Sequence, residues 1–244
     1  MKEWLYGRNP VYEVLRAKRR QVYGLRVAKG AQEKGRLAEI ITICRQRRIP
    51  VDYVPRQTLD NLDRNHQGLA LQASDYPYAD LTEILDSAAE RGEPPFLLLL
   101  DTLQDPQNLG TLLRTAEAVG VHGVLIPLAR TATITPAVVS SSSGACEHLL
   151  VCQTNLAQTI DILKENNTWV IGLDGGPDSQ PANKVNLKGG LALVVGSEGE
   201  GMRRLVRDKC DLLMRLPMRG QVESLNAAVA GSVALYLALA ARGG

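Results

Sequence analysis

The chain has 244 residues, of which 45% are apolar, 22% charged and 4% aromatic, the make-up of a folded protein whose core is built from Leu, Val, Ile and Ala. That length leaves room for one large domain or two unequal ones. A net charge of +2 conceals a division: residues 1–75 carry 15 Lys/Arg against 8 Asp/Glu, and the remainder 13 against 18, so a basic front end suited to a polyanion precedes an acidic back end with another task.

Tyr6-Gly7-Arg8-Asn9-Pro10 leads into a predicted helix over Val11–Lys18, where Val11, Val14 and Leu15 fall on one face. A strand is predicted at Val22–Val27, a helix at Arg36–Arg47 with Leu37, Ile40, Ile41 and Cys44 on its apolar side, and strands at Ile49–Val54 and Gly68–Ala73. This reads as a small α/β domain, 1–75. Residues 76–94 form the expected linker, with Pro77, Gly92 and Pro94 around a short helix at Leu81–Ala89. From residue 95 the pattern changes. Phe96–Asp101 is continuously apolar up to its final Asp, as a strand buried on both faces would be. Further strands follow at Gly123–Pro127, Leu149–Cys152, Trp169–Leu173, Leu191–Val195 and Leu212–Leu216, with helices at Leu109–Val119, Leu156–Glu165 and Met202–Lys209 between them. This alternation predicts an α/β domain over 95–244 with a mostly parallel sheet. The apolar stretch Ala227–Ala241, interrupted by Gly231 and Ser232, is too short for a typical membrane span and reads as a buried helix. The first ten residues lack the apolar core of a signal peptide. Four cysteines without a CxxC pair and three histidines without a ligand spacing give no reason to expect disulfides or a metal site. Reduced thiols and a cytoplasmic location are expected.

Three stretches sit where strands of the second domain end, the place where open α/β sheets bind ligands. Asp105-Pro106-Gln107-Asn108-Leu109-Gly110, with Arg114 further on, leaves one strand and opens a helix. Asp105 or Asn108 alone would make an ordinary helix cap. Gly196-Ser197-Glu198-Gly199-Glu200-Gly201-Met202 follows another strand. Its glycines allow close approach of backbone to ligand, while its spacing and two glutamates disfavour a pyrophosphate. Pro217-Met218, then Ser224-Leu225-Asn226, leads from the last strand into the final helix. A single N-cap accounts for Ser224 or for Asn226, not for both.

Together these stretches resemble the three motifs of the SpoU (TrmH) family of RNA 2′-O-ribose methyltransferases, in the SPOUT superfamily, and the RlmB-like branch within it. The front domain, with Tyr6-Gly7 before a helix and His66-Gln67-Gly68 near its end, is similar to the family's RNA-binding domain. The resemblance implies a deep C-terminal trefoil knot, although knots are nearly absent from proteins at large. It implies S-adenosyl-L-methionine as cofactor, contacted by Gly196, Leu216 and Leu225 and flanked by Gly201 and Met218. It also implies Arg114, Asn108, Glu198, Ser224 and Asn226 as catalytic residues, and a homodimer whose site is completed near the subunit interface. Structured RNA, 23S rRNA with a guanosine target, becomes the expected substrate; a tRNA guanosine enzyme, a ribosomal resistance methyltransferase and an inactive RNA-binding protein are the alternatives. Phosphate contacts are expected from Arg8, Arg16, Lys18, Arg19, Arg20, Arg45, Arg47 and Arg48. One departure is that Ala228 stands where relatives often carry Ser or Thr.

Overall fold

A computed structural model describes residues 2–222 and 224–243. The chain divides into two compact units, Met1–Pro77 with Thr133–His148, and Tyr78–Ala132 with Leu149–Gly244.

In the first unit β1 (Lys2–Tyr6), α1 (Arg8–Ala17), β2 (Val22–Ala28), α2 (Arg36–Gln46), β3 (Val51–Val54), α3 (Arg56–Asp60) and β4 (Leu69–Ser74) follow in order. The sheet runs β1-β4-β2-β3, with β4 antiparallel to both neighbours and β2 parallel to β3. Val11, Val14 and Leu15 of α1 and Leu37, Ile40, Ile41 and Cys44 of α2 are buried, the faces that helical spacing predicts. β1 and α3 add to the predicted elements. β1 is too short to show a period of its own and is fixed by its register against β4, Lys2 opposite Ser74 through Tyr6 opposite Ala70.

The second unit starts with α4 (Leu81–Glu90), β5 (Phe96–Leu100), α5 (Pro106–Ala118) and β6 (Gly123–Pro127). α4 has a capping box, Asp80 and Glu83 each accepting from the other's backbone N–H at 2.9 Å, and its Ile84 is fully buried in this unit's core. The chain then passes into the first unit for α6 (Pro136–Ser141) and a 3-10 turn at Ala145–His148 before returning. An ionic cluster explains why Thr133–His148 belongs there: Arg20, whose side chain is fully buried, donates to both carboxylate oxygens of Glu147 at 2.9 and 2.7 Å, and it also pairs with Glu3. Arg19 donates to the Pro77 carbonyl at 2.9 Å and to the Tyr76 hydroxyl at 3.1 Å. The expectation that Arg20 faces RNA is therefore corrected: the sequence showed its charge, while Glu147, more than a hundred residues away, takes it up.

The remaining elements are β7 (Val151–Thr154), α7 (Leu156–Glu165), β8 (Trp169–Leu173), β9 (Gln180–Pro181), β10 (Leu191–Val195), α8 (Arg204–Lys209), β11 (Leu212–Arg215) and α9 (Ala227–Arg242). They complete a seven-stranded sheet in the order β7-β6-β5-β10-β8-β11-β9, parallel at every pairing. β5, β6 and β10 are buried along their whole length, as strands covered on both faces must be. The chain proceeds from β5 outward through β6 and β7, then builds the other half of the sheet around β10. This reversal opens a crevice at the carboxyl ends of β5 and β10. α9 packs on α5, where a Cβ at Gly231 would lie 2.6 Å from Leu112 Cδ2, so a glycine is what permits that closeness. No described helix is long and apolar enough to cross a membrane.

Candidate active site

Four loops meet at the carboxyl ends of β5, β8, β10 and β11. The loop after β10 closes on itself: Ser197 and Gly201 exchange two backbone hydrogen bonds of 3.0 Å each. Gly199 and Gly201 adopt φ of 81° and 70°, the left-handed region that favours glycine. At Gly196 the constraint is space, since a Cβ would lie 2.2 Å from the carbonyl carbon of Gly201. The exit of this loop is tied to β5 by Asp101, fully buried, which accepts from the Arg203 backbone N–H and from its Nε, both at 2.7 Å. Carboxylates on that scale of burial need such charge-assisted partners.

A cavity of about 390 Å3 lies against this loop. Gly196, Gly201, Leu216, Met218 and Leu225 line it, so the five residues implied as cofactor contacts share one space, together with Glu198 and Ser224. Leu225 and Met218 stay 40% and 39% exposed, apolar side chains that a bound molecule would cover. Asp174 and Gly175, at the end of β8, also line it and were not foreseen. An acid-Gly-Gly run after a buried strand was the available signal. Burial alone would raise the Asp174 pKa, but its hydrogen bond from Arg207, 2.8 Å, and one from the Gly176 N–H hold it below the ordinary carboxylate value. A second hollow, about 320 Å3, shares Ser197, Glu198 and Glu200 with the first and is lined by Thr102, Gln104, Asp105 and Asn108.

Three polar side chains from distant parts of the chain join at this place. Asn108 donates to Glu198 Oε1 at 2.7 Å, and Asn226 donates to Asn108 Oδ1 at 3.1 Å and to the same Glu198 oxygen. Asn226 Oδ1 meanwhile caps α9, accepting from Ala228 and Val229 N–H at 2.9 and 3.2 Å. Asn108 does not cap α5; Asp105 does, accepting from Gln107 N–H at 3.0 Å with Pro106 in the first turn. Asn226 thus caps its helix and Asn108 is left to the site. Arg114 is the exception among the expected residues. It lies exposed on α5 and lines neither hollow.

The donor set fits S-adenosylmethionine. Apolar side chains offer a slot for a flat base, the glycine-rich backbone offers hydrogen bonds at close range, and Asp174, Glu198 and Glu200 favour a cation over a phosphate. The family comparison agrees. Residues 95–236 match the model of the SpoU rRNA Methylase family, over half the chain. The chain belongs to that family. Its members are RNA methyltransferases that use S-adenosylmethionine. Residues 4–79 of this SpoU methylase match the model described as RNA 2′-O ribose methyltransferase substrate binding. A Bacillus subtilis protein assigned to the TrmH family of tRNA/rRNA methyltransferases is 43% identical over 96% of this chain and 94% of its own. A Staphylococcus aureus protein of the same description is 45% identical over 84% and 83%. Among solved structures, the SpoU methyltransferase AviRb of Streptomyces viridochromogenes, in complex with AdoMet, superposes with a TM-score of 0.81 at 21% identity, covering 98% of this chain and 90% of that one. An AdoMet-bound rRNA methyltransferase of Sinorhizobium meliloti gives 0.77 at 20% identity, over 97% and 86%.

Proposed function

We propose that this SpoU methyltransferase methylates a ribose 2′-hydroxyl in structured RNA, a guanosine of 23S rRNA, acting as a cytoplasmic homodimer. The observation that carries the reading is the hydrogen-bonded trio Asn108, Glu198 and Asn226, set beside a cavity whose lining suits a sulfonium cofactor. S-adenosylmethionine supplies a methyl group activated by its sulfonium. Gly196, Gly201, Leu216, Met218 and Leu225 would hold it. What the chain's own residues contribute is alignment, the in-line approach of an oxygen to a carbon, and charge control as the 2′-OH gives up its proton. Glu198 fixes the two asparagine amides, which position the ribose, and Ser224 orients the groups beside it.

Arg114 is the proposed partner of the RNA. A guanidinium stays charged and is a poor base; Arg114 instead binds the phosphate adjoining the ribose, which accepts the proton, and it stabilises the developing charge. Its placement outside both hollows described above fits a site completed across a dimer. α9 exposes Val229, Val233, Tyr236 and Leu237, an apolar stripe that a second copy would cover. Thr115, the residue after Arg114, is bonded to Ser232 in that helix at 2.9 Å. The family's trefoil knot is part of this reading, formed by the stretches around β10, β11 and α9. The first domain, 1–75, would hold RNA and 95–244, apart from the Thr133–His148 stretch that groups with the first unit, would carry out the transfer; the expected linker 76–94 carries α4, which packs Ile84 into the second unit's core.

The test is methylation, with labelled cofactor, of total RNA from a strain lacking the gene, followed by mapping of 2′-O-methyl positions. Label on one ribose of 23S rRNA is expected, from a protein that sediments as a dimer. Label confined to bases or to protein contradicts the reading, and label on tRNA moves the substrate to the alternative named above.

A further inference from the structure

The first unit's sheet and helices leave a groove of about 660 Å3 whose lining includes Arg8, Lys29, Lys34 and Arg56, with Gln67 between them. It contains no carboxylate and no aromatic ring. Among the described residues these four cations have no ion-pair partner, whereas others in this unit are taken: Arg20 by Glu147 and Glu3, Arg16 by Glu13, Arg36 by Glu39. Nearby acids are turned to other tasks, Glu33 accepting from the Tyr53 hydroxyl at 2.6 Å, Asp60 bonded to His66 at 3.0 Å, and Asp63 accepting from Asn65 N–H at 2.6 Å.

The groove is also built to keep its shape. Gln67, at φ 53°, accepts from the Arg8 backbone N–H through Oε1 at 2.9 Å and from Arg8 Nε through its carbonyl at 3.2 Å, which leaves the outer edge of the guanidinium fork for a ligand. The loop that carries Lys29 and Lys34 is pinned by Lys29 N–H to the Val54 carbonyl at 2.8 Å and by Ala28 N–H to the Gly68 carbonyl at 2.9 Å. Gly30, at φ 79°, turns that loop with nothing within 4 Å of where a Cβ would be. Gly68, which lines the groove, is held by fully buried His66, whose Nδ1 accepts from the Gly68 N–H at 2.8 Å.

We propose that this groove is the phosphate track of the first unit, where Arg8, Lys29, Lys34 and Arg56 hold the sugar–phosphate backbone of the substrate RNA. The proposal rests on the RNA methyltransferase reading above and adds the surface to it. With no ring to stack a base, the groove positions the RNA and leaves choice of nucleotide to other contacts. Its cations are mostly not those that charge counting marked. Of those eight, only Arg8 lines it.

The experiment compares two charge-matched variants of the full chain. One replaces Arg8, Lys29, Lys34 and Arg56 with Gln; the other replaces Arg16, Lys18, Arg45 and Arg48, equally basic and outside the groove. Both are checked for an unchanged thermal midpoint. RNA affinity is then measured against salt with a 23S rRNA fragment that the wild type methylates. The groove variant is expected to lose affinity at least ~10-fold at moderate salt, to flatten the log–log salt slope by about 2–3, and to raise KM for RNA with little change in kcat. The control variant should stay near wild type. Equal losses in both variants, or a groove variant with wild-type affinity and slope, overturn the groove while leaving the methyltransferase reading intact. A wild type that binds and methylates no RNA overturns both.

Discussion

Asn226 shows how one side chain can serve fold and site at once. Its carbonyl oxygen caps α9, and its amide donates to Glu198 and Asn108. Two substitutions separate these duties. Asn226→Asp keeps the cap, because a carboxylate accepts from the same N–H groups, but it removes the donor and sets a negative charge against Glu198. The expected result is a thermal midpoint close to wild type with methyl transfer reduced ~10-fold or more, the worth of one hydrogen bond to a charged group. Asn226→Ala should lose both, with about 1 kcal/mol of stability gone as well. Equal activity in the Asp variant and the wild type, measured in single turnover, would place Asn226 in the fold alone. The sequence marked Asn226 and Ser224 because one helix needs one cap, and the same logic left Asn108 available once Asp105 was seen to cap α5. Asp101 and Asp174 escaped that logic. Their partners Arg203 and Arg207 come from another part of the chain, and nothing local to either acid advertises the pairing.

Among the elements, the strands of the second unit were the most legible. Phe96–Leu100 and Leu191–Val195 read as buried runs and are buried throughout. Short elements whose existence depends on a distant partner were not: β1 relies on β4, and α6 sits in a stretch that is drawn into the first unit. A Thr-Pro pair at Thr135-Pro136 was the local signal for α6, with Pro136 in its first turn. The cluster around Arg20 makes the attachment testable. Arg20→Met strands a buried Glu147 carboxylate and is expected to cost about 3–5 kcal/mol, while Arg20→Met with Glu147→Leu should recover most of it, since an apolar pair of similar volume replaces a buried ion pair at little cost. Urea unfolding of both variants checks this. If the double variant is as unstable as the single, the loss comes from Glu3 or from packing, not from an unpaired Glu147.

Over the whole molecule, the charge division visible in the first 75 residues corresponds to a unit with a basic groove, and the acidic remainder to a unit whose cavity carries Asp174, Glu198 and Glu200. What no local pattern foretold is convergence. Loops that follow β5, β8, β10 and β11 lie far apart along the chain, and only the strand order β5-β10-β8-β11 makes them neighbours. Titration calorimetry with S-adenosylmethionine measures whether that convergence makes a binding site. Saturable binding by the wild type is expected, unchanged within a few-fold in Asn226→Asp, and weakened more than ~10-fold (about 1.4 kcal/mol or more) in Gly196→Val, whose side chain would push into the Gly201 backbone. A wild type that takes up no cofactor, or a folded Gly196→Val protein that binds it as tightly as the wild type, would mean that these loops do not form the cofactor site.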